Sequence, residues 1–270
     1  MARSASLKRD TRELIVKGFC AKVRTAPLSK LRIADLINEL NINRNTFYYD
    51  FSGKDEIAFY AFRSDLDRRL RAILPESELV TVGPEGDPFE GLAYYARTEL
   101  GARNLDHSAF IHCLMECAVN DRALYRNLFT LYEHSFMNIV RAYWRYAART
   151  DIDLILDGRY MADEVKDMLV GFASNSIIGA VTWALDNTDK TDIVLDERYN
   201  PFENIILESI RNAIQKHPLT RVATPGRPST GAAGRPTFSA TSPRPVIHAA
   251  SSSASPFMSC LLYTSDAADE

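Results

Sequence analysis

The residue types best suited to recognition chemistry run from Arg44 to Tyr49. Arg44, Asn45, Thr46, Tyr48 and Tyr49 open a helix, and each suits a DNA groove. Arginine grips guanine with two hydrogen bonds and asparagine does the same for adenine. Threonine and tyrosine reach phosphates or the thymine methyl group. The same residues also suit a helical hairpin whose polar face is merely solvated, and periodicity alone does not choose between the two.

A second cluster is His112-Cys-Leu-Met-Glu-Cys117. Cys113 and Cys117 are four residues apart, so both thiols share one helix face, with His112 and Glu116 on the next. That spacing raises a thiol or metal sensor. A structural zinc site needs four ligands, usually from two spaced pairs, and no second pair stands nearby. His107 and His134 reach the cluster only through tertiary contacts, whereas buried free cysteines commonly act as small hydrophobes. No metal and no cofactor is expected. The phosphate-binding Gly-x-x-x-x-Gly-Lys, the Gly-x-Gly-x-x-Gly turn, His-Glu-x-x-His, Glu-x-x-His and Gly-x-Ser-x-Gly are all missing, so no enzyme is expected.

The elements that must position these groups read as helices throughout. Leu14, Ile15, Phe19, Lys22 and Val23 give helical spacing over roughly 7–24, with Pro27 beyond the end. A short second helix fits 32–40, with Ile33, Leu36, Ile37 and Leu40 on one face. Asn41-Ile42-Asn43 is a turn: Asn41 tolerates a left-handed backbone, Ile42 plugs the angle between the helices, and Asn43 caps the next helix through its side-chain oxygen. A third helix begins at Arg44 and a fourth runs over about 54–74. Pro75 and the Gly83–Pro88 loop then separate a head from a body with helices near 89–100, 108–119, 124–149, 162–185 and 201–216. No alternating strand pattern of useful length stands out, so the expected fold class is all-α. The segment from Leu31 to Lys54 makes a helix-turn-helix.

Ile42-Asn-Arg-Asn-Thr-Phe-Tyr-Tyr-Asp-Phe-Ser-Gly-Lys-Asp-Glu-Ile57 resembles the recognition-helix signature of TetR-type (tetracycline-repressor-like) transcriptional regulators, and the resemblance covers about residues 8–60. It implies a three-helix DNA-binding head over 1–54 on a larger helical body over 55–217 that binds a small-molecule effector. By position it implies that Tyr48 contacts a backbone phosphate and that Lys54 adds a second phosphate contact beside a helix amino terminus. Phe47 and Phe51 would be core, pinning the recognition helix. Two residues depart from the family pattern: Asn41 replaces the usual turn glycine, and Asp50 stands where histidine is common. Asp50 would repel a nearby phosphate unless it pairs with a basic side chain or points away.

The resemblance also implies a homodimer on double-stranded, near-palindromic operator DNA, joined through the last two long helices. These map onto 162–185 and 201–216. Gly171, Ala173, Ser174, Ser176, Gly179 and Ala180 permit close helix approach, and Phe172, Ile177, Ile178, Val181 and Trp183 supply apolar area. Effector-pocket candidates are Phe110, Cys113, Met115, Cys117, Phe129, Tyr132, Phe136, Met137, Tyr143 and Trp144, residues that equally suit plain core. The rival reading is a helical enzyme or carrier whose head makes protein contacts. A nearer rival keeps DNA binding but senses thiol oxidation or a metal through Cys113 and Cys117.

Composition fits this picture. The 270 residues are 46% hydrophobic and 25% charged, ordinary globular usage that excludes a collagen-like or wholly disordered chain. Residues 1–49 hold ten Lys/Arg against four Asp/Glu, while 61–217 hold seventeen against twenty-five, so a basic head sits on an acidic body. The amino terminus has no secretory pattern, and the longest clean apolar run, Ile177–Leu185, is half a membrane span, so a cytoplasmic location off the membrane is expected. Four cysteines imply no disulfide framework. Of the 53 residues in 218–270, 34 are Pro, Ser, Ala, Thr or Gly, a composition expected to be disordered. Cys260–Glu270 resembles the read-through translation of a sequencing adapter, which places the expected natural end upstream.

Overall fold

The structure is a computed structural model that describes residues 2–129, 134–187, 201–216 and 220–221. These fall in one compact unit, residues 1–224. The tail expected to be disordered lies outside the described residues apart from Thr220 and Arg221.

The fold is mostly helical. Four helices come first: α1 (Ala2–Val23), α2 (Ile33–Glu39), α3 (Arg44–Asp50) and α4 (Lys54–Ile73). A single 3-10 turn, Leu28–Lys30, links α1 to α2. Then come α5 (Ser108–Asn120), α6 (Arg122–Leu128), α7 (His134–Leu156), α8 (Asp163–Asp186) and α9 (Pro201–Lys216). The core lies where α4 packs on α5 and α7, and where α8 packs on α7, α5 and α9. Phe62 of α4 sits at its centre, with the rings of Tyr125, Phe129, Phe136 and Trp144 at 5.6–6.2 Å in edge-on contact. Edge-on packing suits the ring quadrupoles, and each buried ring adds about 1.5–3 kcal/mol of hydrophobic stabilisation.

Two expectations need correction. The segment near 89–100 is not a helix. Leu79–Val80 (β1) pairs antiparallel with Tyr95–Ala96 (β2), and Thr98–Gly101 (β3) forms a hairpin with Asn104–Asp106 (β4). Gly91, at φ 94°, breaks any helical path there. The backbone N–H of Tyr94 donates to Val80 O at 3.1 Å, so pairing with β1 satisfies groups a helix would have bonded internally. The all-α expectation therefore gives way to a mostly helical fold with short strands. The single helix expected over 124–149 is two: α6 stops at Leu128, and α7 runs from His134 to Leu156. Arg159–Tyr160 (β5) also pairs antiparallel with Thr220–Arg221 (β6).

Among the described residues, α8 is the one helix long and apolar enough to cross a membrane, and 56% of its apolar stretch is buried inside the protein.

Candidate functional site

Helices α2 and α3 meet across a tight turn built by its own side chains. Asn41 holds φ 50°, the left-handed value the turn needs, and the Ile42 N–H reaches back to Ile37 O at 3.2 Å. Asn43 caps α3: its side-chain oxygen accepts the Asn45 N–H at 2.8 Å. Gly18 lets α2 lie against α1, because a Cβ there would sit 2.8 Å from a Leu40 methyl carbon.

This frame sorts α3 into two faces. Phe47 is fully buried, as are Leu36 of α2 and Phe51 just past α3, while Ile33 and Ile42 are half-buried against the same core. Arg44, Asn45, Thr46, Tyr48 and Tyr49 are exposed, Tyr49 to 69%. Arg44 lies over the Tyr48 ring, 5.5 Å from its centre, which orients the guanidinium along the exposed face.

Asp50 turns inward. Its side chain is 6% exposed and pairs with Arg12 of α1 at 3.4 Å. The Arg12 guanidinium also lies over the rings of Phe51 and Tyr60. Both outcomes open to Asp50 are observed together: it points away from the exposed face and pairs with a basic side chain. Its charge is neutralised within the helices instead of facing outward.

Lys54 is also engaged. Its ammonium donates to Leu28 O at 2.9 Å and Ser29 O at 3.3 Å, tying the start of α4 to the 3-10 turn. Two of its three donors are thus occupied. Beside it, exposed Lys30 and Arg32 flank the same turn. Glu56 reaches back to accept from the backbone N–H and the hydroxyl of Ser52, closing the amino end of α4 much as a capping box does. The four-residue spacing of Ser52 and Glu56 differs from the three-residue spacing of a capping box, so local sequence does not announce this contact.

The cysteine cluster is enclosed. Cys113 and Cys117 are buried, and among the described residues no group of three or more potential metal ligands forms. Burial, with Glu116 adding to it, pushes the Cys113 thiol up to about 11, and burial and then Asp65 push Cys117 higher still. Both shifts disfavour the thiolate that redox sensing uses.

Most aromatic pocket candidates are core. Cys113, Met115, Cys117, Phe129, Phe136, Met137, Tyr143 and Trp144 are all buried in the packing around Phe62, and Tyr132 lies outside the described residues. Phe110 does line a cavity, together with His107, Ala173 and Ile177, which the sequence marks for other roles, and with residues such as Tyr95 and Asp151 that no motif marks. The cavity lies between α5, α7, α8 and α9 and encloses about 30 Å³, room for one water molecule. Its walls are apolar, and one end is polar. There the Tyr95 hydroxyl donates to Asp151 Oδ2 at 2.7 Å, and His107 Nε2 lies 2.9 Å from the same oxygen. Arg97 Nε approaches Asp151 Oδ1 at 2.9 Å. Burial, and after it the Asp151 charge, hold the Tyr95 phenol well above its ordinary range, so it remains a donor. Tyr95, Arg97 and Asp151 went unnoticed because no local spacing connects them. Strands β2 and β3, read from sequence as helix, bring the first two to α7.

A second buried cation belongs to the frame. Arg63 of α4 is fully buried and bonds both oxygens of Asp87 at 2.7 and 2.8 Å, with further bonds to Thr81 O and Leu92 O. Gly83 makes room for this, since a Cβ there would come within 2.5 Å of Asp87 and Tyr143.

The expected interface helix also sorts by face. Ala173, Ser174, Ile177, Ile178, Ala180 and Val181 are buried within the chain, so they are not interface surface. Met168, Phe172, Asn175 and Gly179 form the exposed stripe instead, with Met168 at 64% and Phe172 at 42%.

Helix α6 bridges α1 and α8. Arg24, just past the end of α1, forks onto Asp121 at 2.6 and 3.0 Å, and the Asn127 amide donates to Val23 O at 2.6 Å. On its other side Arg122 and Arg126 donate to Leu185 O at the end of α8, both at 3.2 Å, where a helix carboxyl terminus favours cations.

Compared with known proteins, the chain matches no family model and no curated protein.

Proposed function

We propose that the chain is a ligand-responsive DNA-binding transcriptional regulator, most simply a repressor, that acts as a homodimer on a near-palindromic operator. The observation that carries this reading is α3. It is short, capped, pinned from behind by Phe47, and presents Arg44, Asn45, Thr46, Tyr48 and Tyr49 outward. A helix-turn-helix needs this combination, because base edges are read by side chains on a helix whose pose is fixed by packing. The inward turn of Asp50 supports it further by removing a carboxylate from the face that would meet phosphate.

Dimerisation is proposed through α8 and α9. Helix α8 is apolar overall and buried on one side, yet carries Met168 and Phe172 on its exposed side, and apolar side chains so placed suit a partner helix. Met168, Phe172 and Gly179 offer apolar area with room for close approach. Two copies of α3 would then enter successive major grooves about 34–36 Å apart. The bridge through α6 gives a ligand in the body a physical route to α1, though its leverage is limited to its differential affinity for the two arrangements.

The test is selection from a random duplex pool by mobility shift, with the mass of the free protein measured by light scattering. Enrichment of an inverted repeat by a dimer is expected. A monomer at micromolar concentration, or a bound pool with no consensus, would overturn the reading.

A further inference from the structure

The cavity between α5, α7, α8 and α9 has a chemistry that selects among effectors, taking the ligand-responsive body proposed above as its starting point. Its walls, chiefly Ile152, Ile155, Ile177, Ile210 and Phe110, offer nothing to a polar group. Its polar end is charged but balanced: the Asp151 carboxylate sits against the Arg97 guanidinium, both nearly fully buried.

The balance is one of charge and not of hydrogen bonds. Both short contacts from Tyr95 and His107 fall on Asp151 Oδ2. Oδ1 lies beside Arg97 Nε, but that N–H is not aligned on it, so Oδ1 is buried with no in-line donor. A carboxylate oxygen has two acceptor positions, and leaving them empty in an apolar surround is costly. Asp151 lines the void, so a donor arriving through the cavity would meet that need.

Charge then narrows the ligand. An ammonium brought to this end would face Arg97, and a carboxylate would face Asp151. Either would be a third, unpaired charge between apolar walls, where desolvation is unrewarded. We propose that the cavity takes a small neutral molecule, largely apolar and about one ring in size, that donates a single O–H or N–H to Asp151 Oδ1.

The present void is too small for such a ring, so a wall must yield. Helix α9 contributes Ile210 to the lining and is tied to this end of the protein by Arg211, which donates to Leu105 O at 3.1 Å. Ala173 and Ile177 on the facing wall belong to α8. Ligand entry therefore parts α9 from α8 and α5. The two helices proposed to hold the dimer are the ones displaced, and α8 in turn holds Arg122 and Arg126 of α6.

Four probes of equal ring size test this with the full chain at neutral pH, by calorimetric titration and thermal melting: benzyl alcohol, toluene, benzylamine (as its ammonium) and benzoate. Benzyl alcohol is expected to bind about tenfold more tightly than toluene, the effect of one hydrogen bond to a charged acceptor. Both charged probes are expected to bind at least about tenfold more weakly than benzyl alcohol. Ala173→Met, which fills the void, is expected to abolish binding. Should that variant fail to melt cooperatively, Ile177→Ala, which widens the void, is expected to tighten benzyl alcohol about fivefold. Equal affinity for toluene and benzyl alcohol, a charged probe binding best, no binding by any probe, or an Ile177→Ala variant without effect would each overturn the proposal. None of these readouts involves DNA, so failure to select an operator would undo the regulator reading separately.

Discussion

Arginines in the core and on the exposed face of α3 do opposite work. Arg63, in the heart of the body, is fully buried, bonded to both oxygens of Asp87 and to two backbone carbonyls, with the rings of Tyr94 and Tyr143 about 5 Å from its guanidinium. Arg44 lies exposed on α3 with a tyrosine ring beneath it and, among the described residues, no carboxylate against it. Arg12 lies between these extremes, half-buried and neutralising Asp50. A guanidinium whose donors are all occupied specifies structure. One held in orientation by an aromatic face, with its donors directed to solvent, is equipped for a partner. The difference lies in surroundings, not in residue type, and net charge alone would not reveal it.

The comparison breaks most visibly at Arg63. Asp87→Asn leaves a buried cation without its counter-charge and is expected to cost about 3–5 kcal/mol in denaturant unfolding, with no change in where a surviving fold contacts a duplex. The same pair sets an acid limit. Burial tends to raise the Asp87 carboxyl, but hydrogen bonds from Arg63, the Phe89 N–H and Tyr143 outweigh it and hold the carboxyl below its ordinary 3.8. A group lowered on folding contributes its full stability above its unfolded value and loses it as pH falls through the folded one. The wild type should therefore lose stability steadily below about pH 4, and the variant should lose less over that range. A cost under about 1 kcal/mol would place Arg63 among surface-like cations and erase the contrast.

Arg44→Ala sharpens the other side. It is expected to cost about 1–3 kcal/mol on the best duplex and to relax preference at one base position per half-site, while leaving the melting temperature unmoved. Lys54→Ala is expected to behave differently, because its ammonium already holds Leu28 and Ser29 carbonyls. It should weaken all duplexes alike and lower the melting temperature slightly, with a smaller change in salt dependence than a purely phosphate-bound lysine would give. A smaller effect is expected at Asn43→Ala, about 1 kcal/mol of stability from the lost cap, read by thermal melting. Smallest is Arg24→Ala, which breaks an exposed fork onto Asp121. Its stability cost should stay near 0.2–1 kcal/mol. If α6 carries the ligand's effect to α1, however, the change in duplex affinity on adding benzyl alcohol should shrink.

How much of this was legible follows from where the forces act. Asn41, Asn43 and the alternation of Leu36, Phe47 and Phe51 with exposed polar residues are local signals, and the turn, the cap and the buried face of α3 match them. Helix α9 was bounded correctly for the same reason: its proline start and periodic isoleucines are local. The segment 89–100 misleads because Phe89, Leu92, Ala93 and Ala96 repeat at helical spacing, yet strand β1, more than ten residues earlier, claims its backbone. The break after Leu128 has neither glycine nor proline to announce it. In the candidate site, the polar end of the cavity joins residues 56 positions apart, Tyr95 to Asp151, and no spacing rule spans that distance. Even Asp50, correctly singled out, needed Arg12 brought beside it by packing before its role was fixed.

The most direct measurement is a fluorescence-anisotropy titration of the full chain with a selected inverted repeat and with the same duplex after one half-site is scrambled, each across a salt series. The expected result is dimeric binding that weakens steeply with salt and drops by at least about tenfold when one half-site is lost. Equal affinity for both duplexes, or affinity indifferent to salt, would contradict it.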